Sequence, residues 1–270
     1  MNVDPDFKPV AQPPRRQPFS VREKMEKEIQ HLLDQDIIEK DNEPTGWVLP
    51  PVVTPKKDQS QIHLNVDMRV ANQAIPRRHT QHPTIDDVIT ELSGSTVFSH
   101  LDMSKGYHQL ELKESSRNVT TFSTHIGLYR YKRPNYDTRS AADIFQESIR
   151  EELTQDLKGV FNISDDIIVH GRDTKEHDAN LEALLKKSRE KNITFNKTKC
   201  EFNKERMVYY GLMFSKEGVS PDPCKVQAIK EAGHPRNTAE LNSFLCTVRY
   251  SSRFMEPNKY QKAVCKLGSY

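Results

Sequence analysis

Asp165 and Asp166 stand side by side between two apolar runs, residues 160–163 and 167–169. Adjacent carboxylates repel each other unless a cation or hydrogen-bond donors lie between them, so a pair placed where two strands meet calls for positive charge nearby. A third acid, Asp102, ends another apolar stretch at residues 96–101. Three carboxylates gathered from two strand edges make an oxygen-rich site suited to magnesium. Two such ions about 4 Å apart activate a hydroxyl and stabilise the leaving oxygen of an in-line phosphoryl displacement, the chemistry of nucleotidyl transfer. An isolated Asp-Asp is more often the polar turn of a hairpin, so the pair alone decides nothing.

The elements that must position these acids are legible in the patterning. Pro5, Pro9, Pro13, Pro14 and Pro18 make an extended N-terminal arm that lies over the surface or stays disordered. Ser20 and Glu23 have capping-box spacing, and Val21, Met25, Ile29, Leu32 and Leu33 fall on one side of the helix that follows. Over residues 48–70, β-branched stretches flank the polar run Lys56-Lys57-Asp58-Gln59-Ser60-Gln61, which predicts a hairpin with a basic tip. Thr84 caps a helix that ends near Leu92 and Gly94, ahead of the strand finishing at Asp102. Ile144, Phe145, Ile149 and Leu153 have helical spacing and lead into the acidic segment. A further helix spans 174–191 with Leu181, Leu184 and Leu185 inward, and strands flank Gly211. Beyond Gly218 the chain reads as helical: Asp222 and Pro223 open one helix, closed by Gly233 and Pro235, and Thr238 caps another.

Composition narrows the class. A chain of 270 residues with 35% hydrophobic content can bury one sizeable core or two modest ones. A mean hydropathy of -0.77 and the lack of any apolar run near 18 residues argue against a membrane span. Cys200, Cys224, Cys246 and Cys265 show neither zinc-finger nor disulfide-framework spacing, which favours reduced thiols. The net charge of +2 does not announce a nucleic-acid binder, although basic groups can still cluster on one face.

Several separate segments, standing in order over about residues 37–257, resemble the reverse transcriptases of gypsy-like long-terminal-repeat retrotransposons. The similarity begins with Pro55-Lys56-Lys57-Asp58, then Leu64-Asn65-Val66-Asp67-Met68-Arg69 and Ala71-Asn72. Leu101-Asp102-Met103-Ser104-Lys105-Gly106-Tyr107-His108-Gln109 looks like the family's first catalytic motif. Thr120-Thr121-Phe122, Gly127-Leu128-Tyr129-Arg130-Tyr131-Lys132-Arg133, Ser164-Asp165-Asp166 and Tyr210-Gly211 follow. The resemblance implies an α+β right-hand polymerase fold: an arm and helix over residues 1–36, fingers and an antiparallel palm over 37–218, and the start of a helical thumb over 219–270. It implies a catalytic triad of Asp102, Asp165 and Asp166 that also supplies the metal ligands, with Asp102 and Asp165 as the main ones, the Met103 carbonyl as an extra one, and Asp166 helping as well to position the primer hydroxyl. The cofactor expected is a pair of magnesium ions, for which manganese can substitute.

By the same resemblance, Tyr107 would collide with a ribose 2′-hydroxyl and so select deoxynucleotides; the alternative is a plain core tyrosine. Lys56 matches a fingertip lysine on the triphosphate, where the alternative is a solvated turn lysine. Tyr210 and Gly211 resemble the hairpin that grips the primer end. The implied partners are an RNA or DNA template with its primer, and deoxynucleoside triphosphates, in a cytoplasmic, particle-associated setting without a membrane. The ribonuclease H and integrase regions usual in such polyproteins are not expected in this chain.

The sequence also departs from the family. His63 stands where an arginine usually meets the triphosphate, and an imidazole does not replace a permanent, forked cation. Pro134-Asn135-Tyr136-Asp137 replaces a Leu-Asn/Pro-Phe-Gly loop beneath the incoming nucleotide, which places Tyr136 in the nucleotide pocket and adds a carboxylate that repels the triphosphate. Two functions therefore stand open: an RNA-directed DNA polymerase, impaired or not, and a remnant that keeps the fold and at most binds nucleic acid. An RNA polymerase or nuclease using the same acids is disfavoured by Tyr107.

Overall fold

A computed structural model describes residues 3–55, 61–77, 80, 82–135, 137–233 and 235–254. The Pro-rich arm lies along the body, held by backbone groups: Gln12 N–H donates to the Val48 carbonyl at 2.7 Å and Val48 N–H to that of Val10 at 3.2 Å. Phe7 stacks on Trp47 with ring centroids 5.9 Å apart. Helix α1 (Phe19–Asp34) follows with Pro18 as its N-cap and no side-chain cap bond. The capping box expected of Ser20 and Glu23 is therefore absent. Pro18, at φ -55° and ψ 142°, supplies the non-helical entry, which leaves Ser20 inside the helix, and Glu23 pairs with Lys27 at 2.7 Å. Met25, Ile29 and Leu32 are buried as the spacing predicts.

Strand β1 (Ile38–Lys40), hairpin β2 (Pro51–Pro55) and β3 (Ile62–Val66), and short helix α2 (Ala71–Ala74) come next. Helix α3 (Ile85–Leu92) carries a complete capping box between Thr84 and Asp87. Strands β4 (Val97–Asp102), β5 (Phe122–Thr124) and β6 (Gly127–Tyr131) follow, and β1-β6-β5 form one antiparallel sheet. Arm, α1 and the strands around them share a core that includes Met25, Trp47, Leu49, Val66, Phe122 and Tyr131.

Helix α4 (Ala141–Ile149) ends in a π-helical turn (Arg150–Thr154) and leads to β7 (Val160–Ile163), β8 (Asp166–Gly171) and α5 (Thr174–Glu190). Then come β9 (Glu201–Lys204), β10 (Arg206–Tyr209), β11 (Leu212–Ser215), β12 (Gly218–Pro221), α6 (Pro223–Glu231) and α7 (Thr238–Ser251). Asn237 caps α7, one residue ahead of the expected Thr238, because its carboxamide reaches the Glu240 N–H at 2.9 Å.

The central sheet has the order β7-β8-β4-β9, all antiparallel. Alternate side chains of a strand point to opposite faces, and β8 is covered on both, which is why Ile167, Ile168 and Val169 are apolar without a break. Ile167 and Val169 pack with Leu101 against Phe145 and Ile149 of α4 and Leu184 of α5. Ile168 packs with Phe98 against Val88 and Leu92 of α3 and against Met207 and Phe214 of the β10–β11 hairpin. Fully buried His177 of α5 accepts a hydrogen bond from the Ser99 hydroxyl at 2.8 Å, and Ser99 in turn accepts the Asn203 N–H at 3.1 Å, tying α5, β4 and β9 together. Among the described residues no helix is long and apolar enough to cross a membrane.

Candidate active site

Strand register brings the acids together. Asp102 of β4 lies directly opposite Asp166 of β8, so their side chains leave the same face of the sheet. In the β7–β8 hairpin Ile163 pairs with Asp166, which leaves Ser164 and Asp165 as the turn. Ser164 takes the left-handed conformation at φ 53°, and the Met103 N–H donates to the Asp165 carbonyl at 2.9 Å. Buried Gln146 of α4 clamps this turn from beneath: its Oε1 accepts the Ser164 N–H at 2.6 Å and its Nε2 donates to the Asn162 carbonyl at 3.2 Å. A methyl group on Gly106 would stand 3.1 Å from the Asp165 Cβ and 3.2 Å from the Phe145 ring, so that glycine admits the acid to its place.

Cationic and polar groups answer the charge. His100 donates through Nε2 to Asp166 Oδ1 at 2.8 Å, and this bond raises the imidazole pKa against the opposing effect of burial. Lys199 Nζ donates to Asp102 Oδ2 at 3.0 Å. That bond, together with the charge of Asp102 and then of Asp165 and Asp166, raises the lysine pKa, so one ammonium feels all three acids. The buried Tyr209 phenol, its ring 6.0 Å from that of His100, is pushed up by desolvation first and then by Asp166.

Carboxylate oxygens and a carbonyl are the hard donors that magnesium or manganese takes, so the donor set fits such an ion. The bridge between Met103 and Phe195 runs through the Asp102 carbonyl and the Ser104 N–H, which leaves the Met103 N–H to the Asp165 carbonyl. The side chains are not drawn into a coordination shell: among the described residues no three His, Cys, Asp or Glu groups are clustered tightly enough to hold a metal. Asp102 is turned to Lys199 and Asp166 to His100.

The remaining candidates are distributed as follows. Tyr107 packs on Phe145 with centroids 4.9 Å apart, beside the glycine that touches Asp165. Tyr210 and Gly211, at φ 49° and 69°, form the two-residue turn between Tyr209 and Leu212, with the Lys225 side chain lying against Gly211. His63 is exposed on β3, opposite Thr54. Lys56 and Tyr136 lie outside the described residues. Next to Tyr136, the Asp137 carbonyl accepts from Asn72 Nδ2 at 2.9 Å, and Asp137 borders a cavity of about 380 Å³ with Arg15, Asp67 and Arg69. The Arg69 guanidinium holds Asp67 down at about 2.

Sequence reasoning missed His100, Gln146 and Lys199. Gln146 left a signal, being a carboxamide next to Phe145 on a helix face otherwise apolar, whereas Lys199 is an exposed lysine in a loop and left none.

Comparison with known proteins bears on this arrangement. Residues 54–214 match the family described as reverse transcriptase (RNA-dependent DNA polymerase). The chain is 31% identical over 240 residues to a retrovirus-related Pol polyprotein from transposon 297 of Drosophila melanogaster, covering 87% of this chain and 22% of that protein. It is 30% identical over 234 residues to the Pol polyprotein from transposon gypsy of the same fly, covering 85% and 22%. The chain thus spans about a fifth of the length of these relatives. Among solved structures it resembles a foamy viral protease-reverse transcriptase in complex with double-stranded DNA, with a TM-score of 0.79 and 20% identity over 97% of this chain and 45% of that one. A second structure of the foamy viral enzyme, bound to an RNA/DNA hybrid, gives a TM-score of 0.77 at 20% identity, covering 99% and 36%. The shared architecture is that of the right-hand polymerases.

Proposed function

The chain belongs to the reverse transcriptase family, and from that premise we propose that it is an RNA-directed DNA polymerase, adding deoxynucleotides to a primer 3′-hydroxyl. The observation that carries this reading is the register of β4 and β8, which sets Asp102 opposite Asp166 with Asp165 in the adjoining turn. Divalent ions bound there would neutralise phosphoryl charge and lower the pKa of the primer hydroxyl. Asp102, Asp165 and the Met103 carbonyl are the groups to hold them. Asp166, hydrogen-bonded to His100, would help to position the primer hydroxyl. Tyr107 closes the space where a ribose 2′-hydroxyl would lie, and the Tyr210-Gly211 turn bears on the primer end. Lys56 serves the triphosphate. The relatives in complex with DNA and with RNA/DNA hybrid support a primed template as partner.

A second reading, a remnant that keeps the fold and binds nucleic acid, draws on Asp137 and His63. A carboxylate at 137 repels a triphosphate, and an exposed imidazole at 63 lacks the forked geometry of arginine. Primer extension on an RNA template, with magnesium or manganese, separates the two. Extension by the parent that Asp165→Asn abolishes supports the polymerase; duplex binding without extension under either metal supports the remnant.

A further inference from the structure

Lys199 is not where it is by accident of a flexible side chain. The loop that carries it is stitched to the end of β4: Asn196 N–H donates to the Asp102 carbonyl at 2.8 Å, and Ser104 N–H to the Thr194 carbonyl at 3.0 Å. Gln109 doubles the link, its Oε1 accepting the Thr194 N–H at 2.8 Å and its Nε2 donating to the Thr194 carbonyl at 2.9 Å. Asn196 then turns the chain, accepting the Lys199 N–H on its carbonyl at 3.0 Å and the Thr198 hydroxyl on its side chain at 2.8 Å. The backbone at Lys199 is thus held beside the end of β4, and its ammonium sits on Asp102 Oδ2.

We propose that Lys199 is a tethered counter-cation of the acidic cluster: it occupies Asp102 while no divalent ion is bound, must be displaced when one binds, and thereby sets how much metal the site requires. The inference rests on the reading of the acids as a metal site. Its physical basis is competition for one carboxylate. A single charge on a lysine that is 63% exposed is held weakly, so a divalent ion wins, yet each binding event first breaks the ion pair. Repulsion between the displaced ammonium and the incoming ion acts in the same direction.

The test is a manganese titration of the full chain, followed by loss of the free-ion electron paramagnetic resonance signal, and so independent of polymerisation. Lys199→Met is expected to bind manganese roughly 1.5- to 5-fold tighter than the parent, the range of an exposed ion pair. Lys199→Arg, which keeps the charge, is expected to stay with the parent. Asp102→Asn is the control on the site itself. If Asp102→Asn weakens binding while Lys199→Met binds no tighter than the parent, the acids stand as a metal site and the role of Lys199 is overturned. Equal tightening by Lys199→Met and Lys199→Arg would overturn it too, because charge would then not be the cause. If Asp102→Asn binds manganese as the parent does, the metal-site reading itself fails and takes the inference with it.

Discussion

Replacing Gln146 by leucine tests whether the acidic turn is held in shape from below. The glutamine is buried, and it satisfies two backbone groups of the β7–β8 hairpin, the Ser164 N–H and the Asn162 carbonyl. Leucine fills a similar volume but offers neither partner. A buried polar group left unpaired costs about 1–3 kcal/mol. The Asn162 carbonyl, on a buried residue, falls in the middle of that range and the half-buried Ser164 N–H at its lower end, which gives roughly 3 kcal/mol together. For a chain of this size that is a fall of about 6–12 °C in Tm. Ser164 also sits at φ 53°, a conformation that a serine keeps only when its surroundings enforce it, so loss of the clamp lets the turn relax and carries Asp165 away from Asp102. Thermal unfolding by circular dichroism gives the first number, and primer extension the second. Gln146→Glu keeps the acceptor for Ser164 while losing the donor to Asn162, and is expected to recover about a third of the stability at most. A Gln146→Leu protein that melts within a degree or two of the parent would show that the two bonds carry no weight, and the argument for a pre-shaped turn would go with them.

Asp165→Asn removes a full charge from the site and is expected to lower the extension rate by at least about 10³-fold, equivalent to several kcal/mol of transition-state stabilisation, while circular dichroism and duplex binding stay unchanged. Asp137→Gly is expected to lower the KM for deoxynucleotides several-fold by removing a carboxylate from the nucleotide side; an unchanged KM would place Asp137 away from the triphosphate. Burial, aided by Lys105 and Arg133, holds His108 down at about 4 against its ordinary 6.5. The unfolded chain therefore takes up a proton below pH 6.5 that the folded chain refuses, so this contribution is whole above 6.5 and is lost as the pH falls toward 4. Between pH 7.5 and pH 5 the loss is about 2 kcal/mol, and His108→Gln should flatten that part of the stability profile measured by urea unfolding.

How far the sequence could be read depended on whether a feature is local. The strand ending at Asp102, the hairpin around Asp165 and Asp166, and the helices opened by Thr84 and by Asp222 rest on nearby residues, and the structure has them where patterning puts them. The caps on α1 and α7 shifted because a cap is a contest among neighbours: Pro18 took the place of Ser20, and Asn237 that of Thr238. The docking of the N-terminal arm was undecidable for a different reason. It is held partly by main-chain groups of Val10, Gln12 and Val48, which no side-chain pattern encodes, and partly by the stack of Phe7 on Trp47, two residues far apart in the chain. Lys199 was invisible for the same reason at one remove, since its partner is chosen by a bridge between Met103 and Phe195, two segments far apart in the chain.

The way the acids are held also bears on which reading of the protein is tested by which residue. Asp102 and Asp166 are brought face to face by the β4–β8 ladder, and Asp165 by a turn fixed through Gln146 and Met103, all of them contacts made by the sheet, the hairpin and α4. These contacts would persist in a chain that had lost catalysis, as would the Lys199 ion pair to Asp102 and the His100 hydrogen bond to Asp166. An intact triad thus discriminates poorly between polymerase and remnant. On the proposed reading the discriminating positions are those assigned to the triphosphate that nothing in the sheet requires: His63, exposed on β3, and Asp137, whose main-chain carbonyl accepts from Asn72. His63 and Asp137 are both exposed, so a double variant with arginine at 63 and glycine at 137 is expected to keep the fold, and a gain of polymerase activity over the parent would support the proposed role of these positions at the nucleotide.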